Sequence, residues 1–230
     1  MSYEELDRVD AMAPTAVSLA WDDDLLGDGE NAIGATVAEG GSVTLTTTEL
    51  TAAFVYAGSA IGVTFAGDLL TLFVFWEIMA LGSTLVIWSA GTQGAYRAGL
   101  RYLVVHLLGG VVLMIGIIAH VVETGSLAFT AMQPDSLGKW LMLAGFLVNA
   151  GALPLLAWIA DAYPEASPSG TVFLSAFTTK TAVFTLLVGF PGADILVPIG
   201  LYMVFYGIIY ALLEDRKSGS AGMPRPRIHL

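Results

Sequence analysis

The sequence has no cysteine and very little positive charge. Only nine of its 230 residues are lysine or arginine, and the three lysines are Lys139, Lys180 and Lys217. The absence of cysteine excludes disulfides, thiolate metal sites and cysteine nucleophiles. No cluster of basic residues forms the positive patch that nucleic-acid binding requires, so that class is excluded as well.

Charge of either sign is scarce along most of the chain. Charged residues make up 13% of the composition, about half the roughly 25% of ordinary soluble domains. Hydrophobic residues make up 56%, and the mean hydropathy is +0.74. This composition predicts a protein that crosses a membrane several times.

The acidic residues are concentrated at the start of the chain. The net charge is −11, and nine of the twenty acids lie in residues 1–30. Two interpretations remain open: a halophile-like acidic composition, in which salt screens the self-repulsion, or an ordinary disordered acidic tail. We expect residues 1–47 to be mostly disordered and cytoplasmic, and no signal peptide is evident.

Six apolar runs follow, each close to the ~20 residues of a membrane-spanning helix. They are 50–66, 69–89, 99–120, 137–160, 171–190 and 195–213. Backbone groups in lipid must be hydrogen-bonded within the segment, so such runs predict helices. We therefore expect an all-α membrane domain at 48–214, with a polar tail at 215–230.

Basic residues near the helix ends predict the orientation. Arg97 and Arg101 flank the loop between the second and third runs, and Arg216 and Lys217 follow the sixth. Cytoplasmic loops carry the excess of basic residues. Both places therefore face the cytoplasm, as do both termini, and the location is the cell membrane.

Four polar side chains fall well inside the apolar runs. At ~1.5 Å per residue, Glu77, Lys180 and Asn149 lie near mid-bilayer, and His106 lies slightly shallower. A charge at that depth costs ~2.5–3.5 kcal/mol. Such residues favour an ion pathway, but Glu77 and Lys180 could instead form a static ion pair. His106 and Asn149 could simply bond across helices.

The fourth run contains Gly151 and Pro154, which predict a broken helix. Such a break either lines a cavity or is a simple kink at a helix crossing. Hydroxyl groups surround Lys180 on the fifth run, among them Thr179, and could support a chain of water molecules. No metal cluster, phosphate-binding loop or catalytic motif of the GxSxG or HExxH type occurs. We therefore expect no cofactor, no metal and no independent enzyme activity.

Two motifs resemble a known family. "GDLLTLFVFWEIMALGS" and "PLLAWIADAYPEASPSGTVFLSAFTTKTAVFTLL" are similar to the proton-conducting, antiporter-like subunits of the respiratory complex I membrane arm. The branch they resemble most is the D subunit of the Mrp-type sodium/proton antiporters. The resemblance implies that Glu77 and Lys180 form the proton relay. The proton path then includes Asn149, His106, Thr179, Pro154 and Asp161.

The chain also departs from the family's pattern. Asn149 stands where the family usually has a lysine, and Ala157 replaces a histidine. Family members have about fourteen helices in two inverted five-helix repeats, so six helices would give one whole repeat plus one further helix. The ending "LLEDRKSGSAGMPRPRIHL" differs from the family's continuation, and we expect a truncated or frameshifted product.

These observations predict a proton- and cation-translocating subunit of a multi-subunit sodium/proton antiporter. The predicted partners are other membrane subunits, lipid, protons and sodium ions. Two alternatives remain: a membrane subunit of a complex I-like redox-driven pump, and a non-conducting scaffold or inactive fragment.

Overall fold

The computed structural model describes residues 18–21, 32–37, 41–152 and 157–220. The chain forms two compact units, Met1–Ala52 and Ala53–Leu230. Within the first unit, β1 (Ser18–Trp21), β2 (Ala32–Val37) and β3 (Gly41–Thr46) form an antiparallel sheet in the order β1-β2-β3.

The sheet lies in the segment that composition predicts to be mostly disordered. Its β2–β3 ladder pairs Ile33 with Leu45 and Val37 with Gly41. The sequence of β3, GSVTLT, combines β-branched residues with a polar–apolar alternation that is typical of strands. The acidic residues dominate the composition of the whole segment. A prediction based on composition therefore does not detect this short strand pattern.

Eight helices follow in the described part of the chain. They are α1 (Thr47–Phe65), α2 (Leu69–Trp88), α3 (Gln93–Thr124), α4 (Leu137–Ala150), α5 (Ala157–Ala162), α6 (Pro168–Ala176), α7 (Thr178–Gly189) and α8 (Leu196–Ser220). Each of the six predicted apolar runs lies on a helix, and the fourth and fifth runs are each divided in two. Helix α8 continues past residue 214, and residues 221–230 lie outside the described part.

Within the described residues, three stretches are long and apolar enough to cross a membrane: Leu69–Trp88, Gln93–Thr124 and Pro168–Gly189. Shorter apolar helices cover Leu137–Ala150 and Leu196–Ile209. Large apolar side chains cover the outside, with Phe65 83% and Val122 82% exposed. A surface of this kind needs lipid or protein around it. The predicted all-α membrane class is confirmed.

Local signals set the helix ends. Asp68 caps α2: its Oδ1 accepts hydrogen bonds from the backbone N–H groups of Leu70 at 3.0 Å and Thr71 at 2.8 Å. Its Oδ2 accepts from the Thr71 hydroxyl at 2.6 Å. These bonds stabilise the ionised form and hold the pKa of Asp68 below its usual range, as expected of a carboxylate at a helix N-terminus.

Helix α4 ends at Gly151, whose φ of 72° is left-handed and favours glycine. Helix α5 begins at Ala157, five intervening residues after Gly151, and the predicted break in the fourth run is therefore confirmed at Gly151. Pro154, the other residue on which that prediction rested, lies outside the described residues.

Glycines bring α3 and α4 into backbone contact. A Cβ at Gly116 would lie 2.6 Å from the Met142 nitrogen, and one at Gly145 would lie 3.0 Å from the Gly109 carbonyl oxygen. We call Gly109, Gly116, Gly138 and Gly145 the glycine seam. Small residues at such positions allow membrane helices to approach closely, and the seam fixes the depth at which side chains of α3 meet those of α4.

Candidate functional site

Glu77 lies halfway along α2 and leans against α3. Its side chain is half-buried, and its Oε1 is buried without a hydrogen-bond partner among the described residues. Gly110 of α3 faces this oxygen so closely that an added Cβ would overlap the carboxylate. Glycine at position 110 therefore makes the space that the carboxylate occupies.

His106 lies one helical turn before Gly110 and is buried. Its ring stacks on Tyr102, with centroids 3.9 Å apart, and meets the edge of Trp158 at 4.6 Å. The Nδ1 atom is 2.9 Å from the Tyr102 carbonyl oxygen. Since a carbonyl oxygen only accepts, we assign the proton to Nδ1. Nε2 is then left as a buried acceptor without a partner in the described chain.

Asn149 occupies the last turn of α4, just before Gly151. It is fully buried, and neither its Oδ1 nor its Nδ2 has a hydrogen-bond partner among the residues that the structure describes. A Cβ at Gly109 would lie 3.5 Å from its Oδ1. Glu77 and Asn149 therefore approach α3 at two consecutive glycines, Gly109 and Gly110.

A further unpaired donor lies in the same layer of the bundle. Trp76 Nε1 is buried without a partner in the described part of the chain, and the Trp76 ring packs on Phe146, one turn before Asn149, at 5.2 Å. Leaving a buried polar group unsatisfied costs ~1–3 kcal/mol. Several such groups in one layer are typical of a place that water or ions occupy.

Lys180 is the third residue of α7, shortly after the break between α6 and α7, and is exposed on the surface of this chain. The ion pairs of the described residues are Arg101–Asp161 and Lys139–Asp135. Glu77 and Lys180 are thus not in direct contact, and their joint role in a relay stays a prediction. Thr179, beside Lys180, is half-buried.

Asp161 has a defined partner. Its two oxygens accept hydrogen bonds from Arg101 Nε and an Arg101 terminal nitrogen, each at 2.7 Å. This bidentate pair joins α5 to the first third of α3, and both side chains are well exposed. The pair therefore ties α5 to α3 at the surface of this chain, and a role for Asp161 in a proton path is untested.

Two groups near the site were not predicted from the sequence. One is the glycine pair that receives Glu77 and Asn149, although two adjacent glycines in mid-helix were visible in the sequence. The other is a buried hydroxyl network of Tyr56, Ser83, Tyr102 and Thr178. Nothing in the sequence brings tyrosines on α1 and α3 together with a threonine more than seventy residues away.

Apolar helices around a layer of buried, unpaired polar side chains define a multi-pass membrane protein with a polar interior. The transmembrane family described as NADH:quinone oxidoreductase/Mrp antiporter matches residues 66–214, and the chain belongs to this family. The resemblance predicted from the two motifs is confirmed.

Two curated relatives illustrate the range of the family. The M subunit of the NADH-quinone oxidoreductase of Escherichia coli is 31% identical over 176 residues, which cover 66% of this chain and 35% of that protein. The D subunit of the Na(+)/H(+) antiporter of Alkalihalophilus pseudofirmus is 27% identical over 173 residues, 66% of this chain and 35% of that protein.

The Mrp complex from Dietzia sp. DQ12-45-1b contains a chain with the same fold. Its TM-score is 0.54 at 20% identity, covering 82% of this chain and 42% of that chain. The chain spans 36% or less of the length of the first curated relatives that it matches.

Proposed function

We propose that this chain is a proton- and cation-translocating subunit of a multi-subunit sodium/proton antiporter, with Glu77 as the group that takes up the proton. The observation that carries the proposal is the unpaired Glu77 carboxylate, held halfway along an apolar helix by the space at Gly110. A carboxylate inside an apolar helix costs free energy, and a role in proton uptake would explain why the residue is there.

The layer around Glu77 offers a route for the proton. His106 Nε2 is a buried acceptor, and the Asn149 amide can orient water because it both donates and accepts. Water between these atoms would pass a proton from one to the next, and Asn149 itself would carry none. The broken helix after Gly151 supplies the entrance from the water-facing side, near Asp161.

Lys180 acts on this layer through its charge. It makes no ion pair in the described chain, so its counter-charge is Glu77 at longer range, through water, or a group of another subunit. Loss of the proton from Glu77 would leave a negative charge that attracts the Lys180 ammonium, and this coupling would move charge across the membrane. Sodium is the proposed counter-ion because the Alkalihalophilus relative is named as a Na(+)/H(+) antiporter subunit.

The test uses inside-out membrane vesicles that contain the assembled complex. We expect Glu77→Gln to abolish the collapse of a preformed pH gradient on addition of sodium. Glu123→Gln is the matched control, because Glu123 is exposed at the end of α3, and it should leave exchange intact. Sodium-dependent exchange that survives in Glu77→Gln would refute the role of Glu77.

A complex I-like subunit is the second candidate, favoured by the 31% identity to the Escherichia coli M subunit. The same vesicles separate the two functions. An antiporter subunit exchanges sodium for protons without an electron donor, whereas a subunit of a redox-driven pump moves protons only while quinone is reduced. If neither activity depends on Glu77 and Lys180, the chain is a non-conducting scaffold.

The proposed location is the cell membrane, with both termini in the cytoplasm. The absence of cysteine allows single cysteines to report the orientation without background. A membrane-impermeant maleimide added to intact cells should label Thr130→Cys, in the loop after α3, and should not label Gln93→Cys, at the start of α3. The opposite labelling would invert the orientation.

A further inference from the structure

The stretch Pro168–Gly189 is apolar enough to be one membrane span, yet it is broken in the middle. Helix α6 ends at Ala176, α7 begins at Thr178, and Phe177 between them has φ −113° and ψ −65°. A break leaves backbone groups without their helical partners. Inside a membrane such groups must find other partners within the protein.

The hydroxyl of Tyr56, on α1, lies in this break. The Thr178 N–H donates to it at 2.7 Å, and the hydroxyl lies 3.4 Å from the Leu174 carbonyl oxygen and 2.5 Å from Thr178 Oγ1. In an uninterrupted α-helix the Thr178 N–H would donate to that same Leu174 carbonyl. The Tyr56 hydroxyl is therefore inserted between a backbone donor and its ordinary acceptor.

A side chain inserted into the backbone ladder is a recognised cause of a sharp helix kink. Leu174 gains a replacement donor in the Tyr163 hydroxyl at 2.9 Å. Both backbone groups of the broken turn are thus satisfied by tyrosine hydroxyls. The two tyrosines differ in one respect: only Tyr56 contacts both sides of the break.

Tyr56 itself is rigidly held. It is fully buried, its ring meets Phe177 edge-on at 5.3 Å, and α2 packs on its backbone at Gly82, where a Cβ would lie 3.0 Å from the Tyr56 Cα. Thr178 Oγ1 lies 3.3 Å from the Tyr102 hydroxyl, which donates to Ser83 at 2.9 Å. Helices α1, α2 and α3 therefore all fix the start of α7.

We propose that Tyr56 is a positioning residue that keeps the α6–α7 segment broken and thereby sets the direction of α7 and the location of Lys180. Lys180 is two residues beyond the amide that Tyr56 binds. The inference about the break stands on the contacts alone, whereas its consequence for transport rests on the proposed function of Lys180.

The first test measures the break directly. Nitroxide labels at Val172→Cys on α6 and Leu187→Cys on α7, both exposed positions, report the distance across it in the assembled complex. In Tyr56→Phe the backbone bond from Thr178 to Leu174 can form, favouring the unbroken form about tenfold, the factor for one hydrogen bond. The distances should shift toward an uninterrupted helix, in which the two positions are about 22 Å apart along the axis.

Tyr163→Phe is the matched control. It removes a hydroxyl from the same Leu174 carbonyl but leaves the Thr178 N–H bound to Tyr56, so the distances should stay those of the parent. Parental distances in Tyr56→Phe, or an equal shift in both variants, would overturn the proposal.

The second test measures sodium/proton exchange with Lys180 in place. We expect Tyr56→Phe to lower the rate about 10- to 100-fold and to change its pH profile, because a displaced reacting group works poorly, while Tyr163→Phe keeps both. If Lys180→Gln leaves exchange intact, the proposed relay fails, and the distance measurement alone decides the role of Tyr56. If Lys180→Gln abolishes exchange but Tyr56→Phe shifts the distances without changing transport, the positioning role is overturned.

Discussion

Replacement of Gly110 by alanine should separate transport from stability. The new methyl group would occupy the position of the Glu77 carboxylate. The obstructing atoms belong to the end of a flexible side chain, so the carboxylate can turn away and the helices need not move. Gly110→Ala therefore displaces the proposed proton-carrying group without removing it.

The energies favour an intact fold. Alanine in a helix interior is ~0.8–1.0 kcal/mol more favourable than glycine, and a strained Glu77 side chain costs ~0.5–1.5 kcal/mol. The gain in helix propensity and the strain in the Glu77 side chain nearly cancel, so the free energy of unfolding should change little. The transport rate depends on the position of the carboxylate, and a displaced reacting group lowers rates about 10- to 100-fold.

Gly145→Ala is the contrasting variant. Its Cβ would lie 2.7 Å from the Leu113 Cβ and 3.0 Å from the Gly109 carbonyl oxygen, both on α3. Backbone cannot turn away, so α3 and α4 must separate, at a cost of ~1–3 kcal/mol. The assay pairs sodium-dependent exchange in inside-out vesicles with the fraction of complex that stays monodisperse after heating in detergent.

We expect Gly110→Ala to lose exchange and keep its heat resistance, and Gly145→Ala to lose its heat resistance. Parental exchange in Gly110→Ala would show that the position of the Glu77 carboxylate does not matter to transport. Equal loss of heat resistance in both variants would show that Gly110 is only a packing residue.

Three further predictions use other parts of the molecule. Asn149→Leu removes the buried amide that is proposed to orient water, so it should slow exchange; parental exchange would show that the amide is not needed for the proton path. Asp68→Ala should lower the free energy of unfolding by ~1 kcal/mol at neutral pH, because it removes the helix cap. The pKa of Asp68 is lowered in the folded state, so this stabilisation is complete above the unfolded pKa of about 3.9 and is lost as pH falls through the lower folded value. Acid unfolding curves of parent and variant should therefore converge. Arg101→Gln breaks an exposed ion pair and should leave heat resistance nearly unchanged, because exposed pairs contribute little to stability; a clear loss of heat resistance would mean that the pair holds α5 in place.

Composition and motif predicted the fold well in the membrane part. Apolar runs must become helices in lipid, so the six runs were found, and the break at Gly151 followed from its glycine. The division at Phe177 was not predictable, because its cause is the Tyr56 hydroxyl on another helix. The strands of the first unit were missed because the surrounding acidic residues determine the segment's composition.

The candidate site was predicted in part. The depth of Glu77, Asn149 and His106 follows from counting residues, and all three lie in the helices as expected. Their orientation toward Gly109 and Gly110 depends on how α2, α3 and α4 rotate about their axes, which the residue count leaves open. The exposure of Lys180 on this chain depends on the neighbours of α7, and a single sequence does not specify them.

The glycine seam should make α3 and α4 the least mobile pair of helices in the bundle. Where backbones touch, two helices cannot slide past each other without overlapping atoms, so we expect α3 and α4 to move as one rigid unit. His106 and Gly110 of the polar layer belong to α3, and Asn149 belongs to α4, so this part of the layer should move with the two helices. Conformational change should therefore be easier at places such as Phe177, where the backbone ladder between α6 and α7 is already open.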